Sequence, residues 1–168
     1  MKKSFLSPLG LDPRGVGPIL IISALPFVIA GMVLSHWYPQ LAIVPQIFGL
    51  FPKIIGFAFS FFGIVLWITA MVQFVVGFKK GLLVTNGVFA LSRNPIYASW
   101  FVLILPGIFL FYSNFWFLLA AIAMFVAFKM KIKKEEECLK NVFGNSFLEY
   151  CEKVGSICSF PKKNGVNG

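Results

Sequence analysis

The sequence predicts an all-α integral membrane protein with about four transmembrane helices and a helical C-terminal segment on the cytosolic side. Three observations carry that reading. Of 168 residues, 58% are hydrophobic and only 12% charged, against about 45–50% and about 25% in soluble domains, and mean hydropathy is +0.85. The apolar residues come in runs long enough to cross a bilayer core of ~30 Å. The basic residues collect at the ends of those runs. A soluble domain of this size cannot cover so much apolar surface, and the composition excludes a disordered chain or a disulfide-stapled module. The length suits one membrane domain over residues 1–168.

The first run is Val16 to Leu34, with Pro18 near its start and Pro26 inside it. Lys2 and Lys3 precede it, as in a signal peptide, but the run is long for one and no small-x-small site follows cleanly. A retained helix is the favoured reading. Leu41 to Phe51 is too short to span and is broken by Pro45, which suggests an interfacial segment. Ile54 to Phe78 is the second span, bounded by Lys53 and by Lys79-Lys80. Its polar members Thr69 and Gln73 are expected to face other helices. A polar connection, Leu82 to Asn94, leads to Pro95, a residue suited to the first turn of a helix. The third span runs from there to about Tyr112, distorted at Pro106-Gly107, and Ser113-Asn114 turns the chain into a fourth, Asn114 to Met130.

Net charge is +9, from 15 Lys and Arg against 6 Asp and Glu. Placed as they are, these charges indicate topology and anionic head groups rather than nucleic acid. Lys2, Lys3 and Arg14 precede span one, Lys79, Lys80 and Arg93 separate spans two and three, and eight lysines follow Phe128. Only Lys53 falls in the first loop. Four spans with both termini cytosolic satisfy this asymmetry. The membrane would be the plasma membrane of a prokaryote or the endoplasmic reticulum of a eukaryote. Cys138, Cys151 and Cys158 all lie in the polar part and read as reduced thiols, and with one histidine no metal-ligand spacing appears. The final residues, Val166-Asn167-Gly168, do not form a prenylation motif.

Five of the six acids follow residue 134. At about 100° per residue, Ile132, Leu139, Phe143 and Tyr150 share a stripe, with Glu135 and Glu136 on its two shoulders. Glu137, Lys133, Lys134 and Asn141 fall opposite. Two carboxylates are therefore directed toward the protein or membrane, where each needs a partner or a bound cation. Ion pairing with nearby lysines at the surface is the plainer alternative. Arg93 stands just before a helix start, where the dipole disfavours a cation, so a carboxylate of the protein or of a ligand is expected to hold it. Tyr97, one turn on, fits an aromatic-belt role on residue type alone. No dinucleotide fingerprint, P-loop or serine-nucleophile elbow is present.

Leu83-Val84-Thr85-Asn86-Gly87-Val88-Phe89 followed by Ser92-Arg93-Asn94-Pro95-Ile96-Tyr97 resembles the first signature of the isoprenylcysteine carboxyl methyltransferase and phospholipid methyltransferase superfamily. About forty residues on, Glu135-Glu136, Leu139, Phe143-Gly144, Phe147 and Tyr150 resemble its second. Together they cover about Leu82 to Pro161 and flank a helical hairpin. Val88 stands where the family usually has proline, Ser99 where it has glycine, Phe147 where it has tyrosine, and Ser156 near a frequent arginine.

The resemblance implies a membrane-embedded methyltransferase using S-adenosyl-L-methionine, bound on the cytosolic side beneath the C-terminal helices. It implies Arg93 and Glu136 as catalytic residues, and Asn94, Pro95, Tyr97, Glu135 and Tyr150 as cofactor-binding. The acceptor is expected to be a lipophilic small molecule or lipid-modified substrate bearing a carboxylate, amine or thiol, reached from the membrane lipids. An NADPH-dependent membrane reductase of the sterol reductase type, or a non-catalytic multi-span protein, are the alternatives. Oligomeric state is not legible.

Overall fold

The computed structural model describes residues 17–38 and 49–157. Most of the expected interfacial segment, the basic residues before Gly17 and the tail from Cys158 lie outside the described residues. The elements are α1 (Gly17–Trp37), α2 (Phe51–Lys79), a 3-10 turn (Gly87–Ala90), α3 (Pro95–Ala98), a π segment (Ser99–Ile104), α4 (Leu105–Tyr112), α5 (Trp116–Phe143) and α6 (Asn145–Lys153). The expected spans one to three match α1, α2 and the continuous run Pro95–Tyr112. Phe51, expected at the interface, instead opens α2, where Pro52 occupies the first turn.

Among the described residues three helices are long and apolar enough, by length and composition, to cross a membrane. The fourth expected span is only the first half of α5. From Trp116 to Phe128 it is apolar, about 20 Å of helix at ~1.5 Å per residue, and then Lys129, Lys131, Lys133 and Lys134 follow within the same helix. α5 thus begins in an apolar setting and ends in a wet one without a break. The protein is an integral membrane protein by these three helices, whose outer faces expose residues such as Ile22, Phe57 and Phe62.

Two seams hold the helices together. On α2, Gly56, Gly63, Ala70 and Gly77 are buried at seven-residue spacing, and this small-residue stripe lets α2 approach the α4 hairpin arm closely. A Cβ on Gly56 would lie 2.6 Å from the Gly107 carbonyl oxygen, and one on Gly107 2.8 Å from that of Gly56. Between lipid-covered helices, where no hydrophobic drive assists, such close packing is what holds them. The second seam joins α1 to α5. Leu20 and Ala24 bury against Ala120, Ala121 and Met124. The buried Asn114 amide donates to the Gly31 carbonyl (2.9 Å), while its oxygen accepts from the Trp116 N–H (3.1 Å). One side chain in the turn thus caps α5 and grips α1. Ser113, beside it, takes the left-handed conformation that reverses the chain.

The distortion expected at Pro106-Gly107 takes the form of the π segment just before it. Pro106 has no N–H and its ring crowds the carbonyl one turn back. The Leu105 N–H bonds five residues back, to Trp100, the π pattern. Thr69, expected to face another helix, instead returns its hydroxyl to the Val65 carbonyl of its own helix.

Candidate active site

Between α1 and α2, which share no extended contact, lies a cavity of about 1050 Å³. Arg93, Asn94, Pro95, Tyr97, Glu135, Glu136 and Tyr150 all line it. The two signature segments, separated by a helical hairpin in the chain, meet here. At the other end the lining is apolar, from Ile21, Leu25 and Val28 of α1 to Trp67, Met71 and Phe74 of α2.

The signature loop is fixed to α2 before it reaches the site. Gly87 has φ +63, and a Cβ there would collide with the Gln73 amide. Only glycine combines that backbone with that contact. The Gln73 carbonyl oxygen then accepts from the Val88 N–H at 3.3 Å. Gln73 does face another part of the chain, as its lone amide character in an apolar helix suggested. Phe89 buries in the 3-10 turn, and its carbonyl accepts a 2.6 Å hydrogen bond from the Tyr150 hydroxyl. Burial pushes the Tyr150 phenol well above its ordinary range, against the opposing pull of Arg93. It therefore stays protonated and remains a donor.

Arg93 is held by a carboxylate, as its place before a helix demands. Its Nη2 lies 3.2 Å from Glu136 Oε1, with both side chains mostly buried. Its Nη1 also contacts Cys151 Sγ. Yet Arg93 Nε and Glu136 Oε1 are both buried without a hydrogen-bond partner; the ion pair is close but not aligned as a hydrogen bond. One atom is a donor and the other an acceptor, and buried polar groups of either kind are costly when unsatisfied.

Glu135 and Glu136 are half-buried, whereas Glu137, Lys133, Lys134 and Asn141 are exposed, as the helical stripe requires. Tyr97 approaches Glu135 Oε2 at 3.5 Å and packs its ring on Phe128. Tyr150 departs from the single stripe. Gly144 (φ 54, ψ −128) ends α5 and starts α6, so Tyr150 is buried by α6 packing with Phe147 and Val154 near Leu83 and Phe143, not by continuing α5. A glycine after an apolar-periodic run is a stop signal and could have located that break. Pro95 is fully buried at the start of α3. Ser99 turns its hydroxyl to the Ile96 carbonyl (2.8 Å) and is also fully buried. Cys151 and Ser156 have no local signature that would mark them; α6 brings them back to the loop. Among the described residues no group of metal-ligating side chains comes together.

The sequence profile of the phospholipid methyltransferase family matches residues 53–146. That is more than half of the chain, and it contains α2, the signature loop, the hairpin and the Glu135-Glu136 pair. The chain belongs to this family. The protein-S-isoprenylcysteine O-methyltransferase of Schizosaccharomyces pombe is 35% identical over 78 residues, covering 46% of this chain and 33% of that protein. The chain therefore spans about a third of that relative's length. No solved structure matches. Tyr150, Cys151 and Ser156 lie beyond the family-matched residues.

Proposed function

We propose that the protein is an S-adenosylmethionine-dependent methyltransferase acting on a lipophilic acceptor. The observation that carries this reading is the Arg93–Glu136 ion pair, 3.2 Å apart with Arg93 Nε left without a hydrogen-bond partner, lining a cavity that is polar at one end and apolar at the other. The cofactor's amino-acid part bears a carboxylate and an ammonium, one anion and one cation, which a guanidinium and a carboxylate side by side can receive. The cavity is at the upper end of the ~300–1,000 Å³ of ligand pockets, with room for part of an acceptor beside the cofactor.

Bound there, S-adenosylmethionine supplies an electrophilic methyl group. Arg93 and Glu136 orient it by charge. Glu135 accepts from hydroxyl or ammonium groups, with Tyr97 beside it. Asn94 has its amide nitrogen already bonded to Ser156, so it offers its oxygen. Tyr150, its hydroxyl engaged by Phe89, contributes its ring. The apolar walls of α1 and α2 exclude water and guide an acyl or prenyl chain in from the bilayer. Alignment and desolvation are the contributions such a site makes, and no general base is required unless the acceptor arrives protonated. The basic-residue asymmetry supports a cytosolic location for this end of the cavity and for both termini.

The test is titration of the detergent-purified protein with S-adenosylmethionine and, separately, NADPH. The expected result is saturable binding of the first alone. Membranes supplied with radiolabelled S-adenosylmethionine should then carry label into the organic phase on solvent extraction. Label confined to water-soluble products or bulk protein would refute the lipophilic acceptor.

A further inference from the structure

We infer that Ser156 and Asn94 form a latch that positions Arg93. Ser92, Arg93 and Asn94 are gripped in sequence by two residues that follow α6. The Ser92 hydroxyl donates to the Ser156 carbonyl (3.2 Å), the Arg93 N–H to the Gly155 carbonyl (3.0 Å), and the Asn94 amide to both the Ser156 carbonyl (3.0 Å) and its hydroxyl (3.2 Å). The Asn94 N–H closes the ring onto the Ser92 hydroxyl (3.1 Å). Pro95 holds the preceding residue out of the helical region, and Asn94 accordingly sits at φ −129, ψ 55. One carbonyl thus accepts from two side chains, and one amide nitrogen donates to two atoms of the same serine. The Arg93 backbone is thus clamped on each side and at its own N–H, which fixes the line along which its side chain leaves toward Glu136 and Cys151.

The latch joins the signature loop to residues beyond the family-matched segment, at the position where the sequence departs from a frequent arginine. Ser156's hydrogen bonds go to Ser92 and Asn94 rather than to Arg93's guanidinium, so it acts through Asn94 and the loop backbone. Its effect on cofactor binding rests on the proposed reading of the cavity, but its effect on Arg93 does not.

The two are separated by experiment. The sequence has two arginines, Arg14 and Arg93, so phenylglyoxal modification of the cofactor-free protein, mapped by mass spectrometry, reads Arg93 against Arg14 as reference. Asn94→Asp removes both amide donors and turns a carboxylate onto the Ser156 carbonyl. It should speed Arg93 modification about fivefold or more relative to Arg14. Ser156→Ala, losing one hydrogen bond, should give about twofold to threefold, and Asn94→His, which keeps one donor, should behave like it. These milder variants carry the test if Asn94→Asp does not fold. S-adenosylmethionine affinity should fall about twofold to threefold in Ser156→Ala and not fall further when Ser156→Ala is added to Arg93→Ala, because a residue acting through another is not additive with it. Unchanged Arg93 modification in all three variants would overturn the latch. Equal losses with and without Arg93 would overturn the positioning role in favour of direct contact. Absence of cofactor binding in the unaltered protein would overturn the cofactor reading while leaving the modification rates to decide the latch.

Discussion

The seam between α2 and the α4 arm and the seam between α1 and α5 are built differently, and the cavity lies between them. The first is backbone against backbone, with Gly56 and Gly107 facing each other. The second is made of side chains, Leu20 and Ala24 on an alanine-rich face of α5, plus the Asn114 amide. The Arg93 side of the site is mounted on the first, since Gln73 holds Gly87 and Val88 and the same loop carries Arg93, while Glu135 and Glu136 stand on the far half of α5, beyond its contact with α1. The apolar entrance is bounded by α1, which rests on the second. A reacting group misplaced by about 1 Å is costly, and the tighter seam carries the loop that places Arg93. A wall that only guides an acyl chain tolerates looser packing.

The largest expected effect comes from breaking the backbone seam. Gly107→Leu puts a side chain where the Ser60 backbone and hydroxyl and the Gly56 carbonyl already stand. It should cost about 3 kcal/mol or more, read as a fall in thermal midpoint in detergent together with loss of cofactor binding. A variant as stable as the parent would mean the helices are held some other way. Next, Glu136→Gln or Arg93→Ala should weaken S-adenosylmethionine binding by about 1.5–3 kcal/mol, near tenfold or more, while Glu137→Gln, on the wet face, changes it little. Equal effects at Glu136 and Glu137 would reduce the acidic run to a charged surface.

On the side-chain seam, Asn114→Ala should lower stability by about 1–2 kcal/mol, since the Gly31 carbonyl loses its buried donor, yet leave cofactor affinity nearly as it was. A loss of affinity as large as that of Glu136→Gln would erase the contrast between the seams. Ionisation gives a finer probe. Tyr150 holds its proton through the range near about 10 where free tyrosines titrate. Its raised value means a hydrogen bond fully present at lower pH and lost only as pH rises through the folded-state value. Tyr150 should fail to give tyrosinate absorbance until the protein unfolds, and Tyr150→Phe should abolish that late step. Reporter fusions at Ser113 and at the C-terminus should lie on opposite sides of the membrane. Finding both on the same side would remove the cytosolic assignment of the signature segments.

Local periodicity made the half-burial of Glu135 and Glu136 legible, and with it the exposure of Glu137, because all three share one uninterrupted helix. The same reasoning carried past Gly144 put Tyr150 inside, where it is, but on the wrong helix, since angular phase is lost where a helix ends. Counting apolar length placed three spans and overestimated the apolar length of the fourth, because a helix can leave the apolar zone without stopping.

The sequence by itself determined that the chain lives in a membrane, where its helices run, and which carboxylates turn inward. Those properties depend on composition and on neighbours within a turn or two of helix. The tertiary structure alone decided that α1 and α2 stand apart around a cavity, that Gly56 meets Gly107, and that α6 returns Tyr150, Cys151 and Ser156 to the signature loop. The last two join residues about 50 or more positions apart. Such pairings are selected by packing and hydrogen-bond satisfaction summed over the whole fold, and no local stretch of sequence contains that sum.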